Sequence, residues 1–429
     1  MFDRKNSNML KNFTKDFIDN IENKLYLSIK DKTNSVTFKL EKVLNAFSKA
    51  HLNVQHFASL TGYGHGDLGR DTIDKIFADV LEAEKAAVRP QLVSGTHAIA
   101  SALFGVLRPG DNFLSITGRP YESLEEVVGL RGSGQGSLLE FGISYDEISL
   151  KKDGNIDFLA LEKALNIPRK LIFIQRSCGY TWRPSLSIEV IKDICYLCHK
   201  IQPECICFVD NCYGEFVENQ EPTAVGADLI AGSLIKNLGG TIVPTGGYIA
   251  GNADLVDKAC CRLTAPGIGS EGGITFDLNR TILQGLFLAP QMVSEALIGA
   301  EIISSAFTEL GFQVLPAVGC LRSDLIQVVR IGDPKILQMI CRSFQEKSPI
   351  GSFLDPIPAP MPGYQNNLVM AGGTFIDGST SEFSADAPMK PPFDLFIQGG
   401  SHRSHVKIAL IHALSNLFQA GLIKLPQNG

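Results

Sequence analysis

The sequence predicts an α/β fold, with a mostly parallel, doubly wound sheet in a large domain and a smaller α+β domain at the C-terminal end. Short apolar runs alternate with helical patterns through the first two thirds of the chain, which is typical of strands joined by crossover helices. The region after residue 305 carries strand and helix patterns of its own. A composition of 45% apolar and 20% charged residues is ordinary for a globular protein and excludes a fibrous or disordered chain.

An N-terminal helical arm is predicted for residues 1–60. Phe13, Phe17, Ile21 and Leu25 recur at helical spacing between charged neighbours. The glycine-rich residues 61–70 form turns and mark the start of a large domain that we expect to span residues 61–305. A small domain would then cover residues 306–429.

The elements of the large domain follow from the apolar runs. We predict strands at residues 87–92, 112–117, 170–175, 205–210 and 227–233, with an antiparallel return at 248–250. Helices are predicted at residues 71–80, 98–107, 188–200 and 283–310. In the small domain the patterns predict a strand at 324–330 and helices at 334–347 and 405–420.

Charge and hydropathy narrow the class of partner. The net charge of −6 gives no electrostatic reason to expect nucleic acid or an anionic membrane. No run approaches the roughly 18 consecutive apolar residues of a membrane span, and residues 1–30 lack the apolar core of a signal peptide. We therefore expect a cytoplasmic protein whose partner is a small molecule.

Lys236 is the first candidate for chemistry. It follows an apolar run among small residues, as Ala231-Gly-Ser-Leu-Ile-Lys236, and a second apolar run ends upstream at Asp210. Pyridoxal phosphate (PLP) enzymes need an amine that forms a Schiff base and a carboxylate that keeps the pyridine nitrogen protonated. One strand-loop-strand excursion would bring this lysine and this aspartate to the same end of a sheet.

Further residues at the strand ends complete a candidate cofactor site. Ser94, Gly95 and Thr96 lie where a strand gives way to a helix, and such a turn presents unpaired N–H groups to a phosphate. Ser233 could add a hydroxyl, and Tyr121 lies in a loop after a strand, where its ring could stack on a flat cofactor. Ligands of open α/β sheets bind at that edge.

Several sequence runs resemble one family. They are Phe208-Val-Asp-Asn-Cys-Tyr-Gly-Glu-Phe-Val217, Gly232-Ser-Leu-Ile-Lys-Asn237, Pro244-Thr-Gly-Gly-Tyr-Ile-Ala-Gly251 and Leu263-Thr-Ala-Pro-Gly-Ile-Gly269, with shorter matches at residues 69–71, 89–98, 284–290 and 361–364. The family is the methionine gamma-lyase-like, or aluminium resistance, group of fold-type-I PLP enzymes, related to cystathionine beta- and gamma-lyases. The resemblance extends from about residue 61 to the C-terminus.

The resemblance implies a role for each matching residue. Lys236 would be the Schiff-base lysine, Asp210 the partner of the pyridine nitrogen and Tyr121 the ring that stacks on the cofactor. The expected phosphate ligands are Ser94, Gly95, Thr96 and Ser233. Tyr63 and Arg70 of a neighbouring subunit would complete the phosphate site. The active unit would then be a homodimer or homotetramer.

The activity implied is elimination of a thiol from a sulfur amino acid of the cystathionine, methionine or cysteine type, through an external aldimine. The substrate carboxylate needs a bidentate cation, for which the candidates are Arg176, Arg183, Arg119 and Arg403, with the first two favoured by position. An aminotransferase or decarboxylase on the same fold, or a non-catalytic regulatory PLP protein, remains an alternative.

Two segments depart from the family pattern. Cys178 stands where members commonly have an arginine, and residues 399–405, which include His402 and His405, replace a more apolar run. We expect both segments to lie near the substrate rather than the cofactor, so they bear on which substrate is bound.

Cysteines at 195, 198, 205 and 207 have spacings that suggest haem attachment or a metal cluster. Because they fall on a helix face and a strand, we expect reduced core cysteines and no metal site.

Overall fold

The computed structural model describes residues 2–361 and 363–424 of the 429-residue chain. Pro362, which belongs to the motif at 361–364, and residues 425–429 of the predicted small domain lie outside the described residues.

Helices and strands alternate through most of the chain. The helices are α1 (Phe2–Lys24), α2 (Tyr26–Lys49), α3 (Leu68–Val80), α4 (Gly95–Val106), α5 (Glu122–Val128), α6 (Phe158–Ala164), α7 (Ile188–Ile201), α8 (Ala253–Leu263), α9 (Asn279–Glu309), α10 (Pro334–Gln345) and α11 (Arg403–Gln419). The strands are β1 (Lys85–Arg89), β2 (Asn112–Ser115), β3 (Ser144–Glu147), β4 (Leu171–Gln175), β5 (Ile206–Asp210), β6 (Leu229–Ser233), β7 (Gly247–Gly251), β8 (Gln313–Leu315), β9 (Gln327–Arg330), β10 (Leu368–Ala371), β11 (Ser384–Pro388) and β12 (Asp394–Gln398).

A seven-stranded sheet carries the order β1-β7-β6-β5-β4-β2-β3. The strands from β6 to β3 in this order run parallel, and β7 is antiparallel to both β6 and β1. Because β7 reverses direction, β1 points the same way as the parallel strands, and its C-terminal end meets theirs at one edge. The predicted α/β fold is confirmed, including the antiparallel return near residue 250.

Continuous burial explains the parallel centre of the sheet. Every residue of β4, β5 and β6 is buried, as expected for strands covered on both faces. Phe113, Phe173 and Phe208 lie on neighbouring strands, and successive ring centroids are 5.7 and 5.6 Å apart in edge-to-face contact. This aromatic row fixes β2, β4 and β5 side by side.

The chain divides into two compact units. One spans Phe38–Pro290 and holds the seven-stranded sheet; the other combines the chain up to Thr37 with the chain from Gln291 onward. In the second unit an antiparallel sheet of order β10-β11-β12-β9-β8 packs in a core that includes Ile18 and Ile21 of α1. The predicted domain limits at residues 60 and 305 rest on composition and stay predictions.

Helix α9 is long and apolar enough to cross a membrane, and it is the one such helix in residues 2–361 and 363–424. Within its most apolar window, 78% of the residues are buried in the protein, which is typical of a core helix. Pro290 lies inside it.

Close packing of α4 on α8 yields the first prediction. A Cβ at Gly105 would lie 2.6 Å from Cα of Ala259 and 2.8 Å from the carbonyl oxygen of Lys258, so backbone atoms would have to move. We expect Gly105→Ala to lower the free energy of unfolding by about 1–3 kcal/mol, despite the better helix propensity of alanine. Urea denaturation measures this. Lys192→Ala, on the exposed face of α7, is the control and should change stability by less than about 0.5 kcal/mol.

Candidate functional site

The predicted site residues of the large sheet converge at its C-terminal edge. Asp210 and Ser233 are the last residues of the parallel neighbours β5 and β6. Gly95 begins α4, which follows β1, and its Cβ position lies 3.4 Å from Cβ of Ser233. The structure therefore places the predicted phosphate turn next to the end of β6.

Lys236 and Asp210 lie close enough to affect each other's charge. Burial raises the pKa of Asp210, while the nearby Lys236 ammonium opposes this rise. Burial alone would lower the pKa of Lys236, but the acidic groups around it, led by Cys212, Tyr213 and Asp210, raise it. The Nζ atom of Lys236 also lies 3.9 Å from the ring centroid of Tyr213, a cation–π contact.

A raised pKa is the opposite of what a nucleophilic amine needs. A Schiff-base lysine needs an unprotonated amine near neutral pH, and the acidic groups around Lys236 work against that. A pyridinium nitrogen on Asp210 would compensate the charge of this carboxylate, which weakens its hold on the ammonium. The electrostatics of the pair thus fit a cofactor that contacts both residues.

The turn at Ser94 fits a phosphate. Ser94 caps α4 by accepting a hydrogen bond from the backbone N–H of His97, at 3.0 Å. The first N–H groups of a helix have no acceptor within the helix and carry the positive end of its dipole. At Gly95 a Cβ would come within 3.0 Å of the Cys212 sulfur, so the absence of a side chain keeps the cradle open. The donor set and the open glycine suit a dianionic group.

Tyr121 lies beside this cradle. Its hydroxyl is 3.4 Å from Oγ1 of Thr96, and its backbone N–H donates to Oε1 of Gln175 at 3.2 Å. Burial raises the pKa of Tyr121 well above its ordinary value, with Asp210 as the next cause. The phenol is therefore neutral near pH 7, and the backbone of Tyr121 is tied to the end of β4.

A buried polar network holds the backbone beyond Asp210. Asn211 accepts from Nη1 of Arg176 at 2.7 Å and donates to Oε2 of Glu221 at 3.0 Å. Arg176 is fully buried and also donates to Oε1 of Glu218 at 3.0 Å. The backbone N–H of Cys212 donates to Oδ1 of Asp210 at 3.1 Å. The Cys212 bond orients the Asp210 carboxylate, and the other bonds fix the chain just beyond the strand end.

Glu215 is a site neighbour that the sequence argument missed. Its Oε1 accepts from the hydroxyl of Tyr248 at 2.7 Å, and its backbone carbonyl accepts from Nδ2 of Asn237, the residue after Lys236. Its other carboxyl oxygen is buried without a hydrogen-bond partner in the described residues. Burial raises the pKa of Glu215 to about 8. The signal in the sequence was an acidic residue within an otherwise apolar and aromatic run.

The four candidate arginines differ in what they already bind. Arg176 belongs to the network above, and Arg183 is buried and donates to the backbone carbonyls of Gln175 and Ser177. Arg403, in the second unit, forms an ion pair with Glu295. The Arg119 side chain is 52% exposed and pairs with Glu125, a carboxylate that Arg131 also contacts, at 3.3 Å. The exposed fraction of the side chain thus favours Arg119 as the ligand of the substrate carboxylate, whereas position in the sequence favoured Arg176 and Arg183.

The two residues expected from a neighbouring subunit are placed differently. Tyr63 is 82% exposed, with its ring stacked on His65. Arg70 is buried within its own chain, where Nη1 donates to the carbonyl oxygens of Gly64 and Gly273 at 2.7 and 3.1 Å. Of the two, only Tyr63 presents its side chain outward.

The segments that depart from the family pattern have local roles. Cys178 is buried in the loop after β4. His402 caps α11 by accepting from the backbone N–H of Ser404, and Nε2 of His405 lies 2.8 Å from the carbonyl oxygen of Lys347. The two histidines therefore have separate partners.

Comparison with known proteins gives concordant matches. The family model for methionine gamma-lyase matches residues 14–418. Uncharacterized protein YnbB of Bacillus subtilis is 48% identical over 383 residues, which are 89% of this chain and 91% of the relative.

Solved structures show the same likeness. A carbon-sulfur lyase involved in aluminum resistance from Clostridium novyi is 45% identical with a TM-score of 0.90, covering 96% of this chain and 98% of that chain. The pyridoxal-5'-phosphate dependent protein YhfS of Escherichia coli is 15% identical with a TM-score of 0.61, covering 90% and 97%. The second match concerns the fold alone.

The buried carboxyl of Glu215 predicts a pH dependence of stability. Its pKa is about 8 in the folded chain, against an ordinary value of 4.5. Between these values the unfolded chain loses a proton that the folded chain keeps, so stability falls as pH rises, by on the order of 3 kcal/mol. In Glu215→Gln the amide cannot ionise, and this part of the slope should vanish.

Urea denaturation between pH 5 and 8, followed by the fluorescence of the single tryptophan, Trp182, measures the slope. Glu162→Gln, exposed on α6, is the matched control and should keep the slope of the wild type. Equal slopes for Glu215→Gln and the wild type would show that Glu215 is ionised in the fold.

Proposed function

The chain belongs to the methionine gamma-lyase family, and we propose that it is a PLP-dependent carbon–sulfur lyase that acts on a sulfur amino acid. The family and the fold are PLP-dependent. The observation that carries the proposal is the convergence at one sheet edge of Asp210 and Ser233, at the ends of neighbouring strands, with the open cradle at Gly95.

The residues present suit the parts of the cofactor. Lys236 would hold it covalently, Asp210 would keep its ring nitrogen protonated, and the turn at Ser94, Gly95 and Thr96, with Ser233, would hold its phosphate. When bound, PLP supplies an electron sink for charge that develops at the substrate Cα.

Residues of the chain itself then transfer the protons. The amine of Lys236, once free, is the base that removes the proton from Cα, and the Tyr213 ring at 3.9 Å limits where that amine can point. Loss of a thiol from Cβ follows directly, whereas a thiol at Cγ requires removal of a second proton, from Cβ. The same lysine serves both steps.

Two further proposals concern the setting. The outward Tyr63 supports a homodimer or homotetramer in which this ring reaches a neighbouring copy. All ten cysteines lie in the described residues and none forms a disulfide, which supports the reducing cytoplasm as the compartment.

Lys236→Ala tests the function. After incubation with PLP, the wild type should show an imine absorbance that borohydride fixes to Lys236, as peptide mapping would show. The variant should lose that adduct, and elimination should fall roughly 10²–10⁴-fold because the base is removed. Release of ammonia and a 2-oxo acid from L-cystathionine, L-methionine and L-cysteine measures elimination.

Lys258→Ala, an exposed change on α8, is the control and should behave as the wild type. An adduct that persists in Lys236→Ala would overturn the lysine assignment. A wild-type imine with release of a 2-oxo acid but no ammonia would indicate an aminotransferase. Release of carbon dioxide would indicate a decarboxylase. An imine without product from any of the three substrates would indicate a non-catalytic PLP protein.

Arg119 is our choice for the substrate carboxylate. Arg119→Met should raise KM about 10- to 100-fold, because the charged hydrogen bonds to the substrate carboxylate are lost. The value of kcat should stay nearly unchanged. Since Arg131 also contacts Glu125, the local ion pair survives the change. Arg131→Met is the matched control, because it removes the other cation of the same carboxylate. An equal rise of KM in both variants would mean that Arg119 acts by pairing with Glu125 and does not bind the substrate.

A further inference from the structure

A group of metal-ligating side chains lies between α7 and the sheet, apart from the candidate cofactor site. Cys195 and Cys198 are buried on one face of α7, and Cys207 is buried on β5. The ligand atoms of His199, Cys207 and Asp228 all lie within 4.8 Å of one another. Cys195 and His199 are four residues apart on α7 and therefore lie on one side of that helix.

The thiols influence one another. Cys195 and Cys198, together with burial, raise the pKa of the Cys207 thiol. Thiols are weak donors and acceptors, so three of them together gain little from hydrogen bonding compared with apolar packing. From the sequence, Cys195, Cys198 and His199 have the spacing of covalent haem attachment and the cysteines were expected in the core, but the nearby carboxylate of Asp228 was not predicted.

His199 and Asp228 have an arrangement common around bound metals. Nε2 of His199 lies 2.9 Å from Oδ2 of Asp228, and that oxygen also accepts from the backbone N–H of Cys207 at 2.8 Å. A carboxylate held by the backbone can fix the orientation and tautomer of an imidazole, which then offers its other nitrogen to a metal.

The group reaches the surface at His199, whose side chain is partly exposed, whereas the three thiols are buried. A cavity is lined by Cys195, His199, Tyr196 and Gly226, so an ion could enter without opening the sheet. Lys192 and Lys200 also line it, together with Asp193, which opposes their charge.

We propose that Cys195, Cys198, Cys207 and His199 form a binding site for a soft or borderline transition-metal ion such as Zn²⁺, with Asp228 orienting the imidazole. Zinc binds sulfur at about 2.3 Å and imidazole nitrogen at about 2.0 Å, so the ligand atoms of His199 and Cys207, within 4.8 Å of each other, must move closer together on binding. Each coordinated thiol loses its proton to water, and two charges of the three thiolates are neutralised by the ion.

The donor set distinguishes this ion from a hard one. Thiolate and imidazole ligands select zinc, copper(I) and similar ions, whereas hard cations prefer oxygen ligands. An Al³⁺ ion, which is hard, does not suit this site. The proposal therefore does not depend on the resistance name carried by similar proteins, nor on the proposed lyase activity.

Titration of the reduced, metal-free full-length protein with Co²⁺ tests the site. Cobalt should give thiolate charge-transfer absorbance that saturates at one ion per chain, and Zn²⁺ should abolish that absorbance. Competition with a chromophoric chelator gives the zinc affinity.

His199→Ala and Cys207→Ser should each weaken Zn²⁺ binding by at least about 10-fold. His199 is only partly buried, so its variant keeps the proposal testable if Cys207→Ser fails to fold, as judged by circular dichroism. Cys341→Ser, a buried thiol of the second unit, is the matched control and should bind as the wild type.

No charge-transfer absorbance in the wild type, or equal zinc affinity in His199→Ala and the wild type, would overturn the proposal. Thiol counting before reduction adds a second overturning outcome: eight free thiols in the wild type and nine, the full number, in Cys207→Ser would indicate a disulfide in place of a metal site.

Discussion

The carboxyl group of Asp210 near Lys236 is the interaction on which the large unit depends. A buried charge pair gains little unless its remaining hydrogen-bonding capacity is satisfied, and removing one partner leaves the other uncompensated. The Asp210 carboxylate accepts from the backbone N–H of Cys212, and the Asn211 side chain beside it is fixed by Arg176 and Glu221. The polar residues after β5 therefore hold the segment that follows this carboxylate.

The central strands were predictable because strands buried on both faces are continuous apolar runs. The edge strand β3 was missed, since three of its four residues are exposed and it has no apolar run. Strand β11 was missed for another reason: its sequence, Ser-Ala-Asp-Ala-Pro, is buried but too small and polar to predict a strand. Hydrophobic patterning detects burial through apolar side chains, and these strands lack them.

Within the site, residues at strand ends were predictable and the arginines were not. The fold brings the ends of parallel strands together, so Asp210 and Ser233 had to be neighbours. The role of Arg176, in contrast, depends on partners 35 and 42 residues away, Asn211 and Glu218. A buried structural arginine and a substrate-binding arginine have the same appearance in a sequence, and only the exposed fraction of the side chain separates them.

Strand β5 links the candidate cofactor site with the thiol group. Cys207 and Asp210 are three residues apart, so their side chains point to opposite faces of the sheet. An ion bound on the α7 side would have no direct contact with the residues around Asp210, because the strand itself lies between them. It would instead tie α7 to β5 and, through Asp228, to the start of β6, the strand that leads to Lys236. Since the same two strands carry both groups of residues, metal occupancy would act on the positions of Asp210 and Lys236 through the backbone alone.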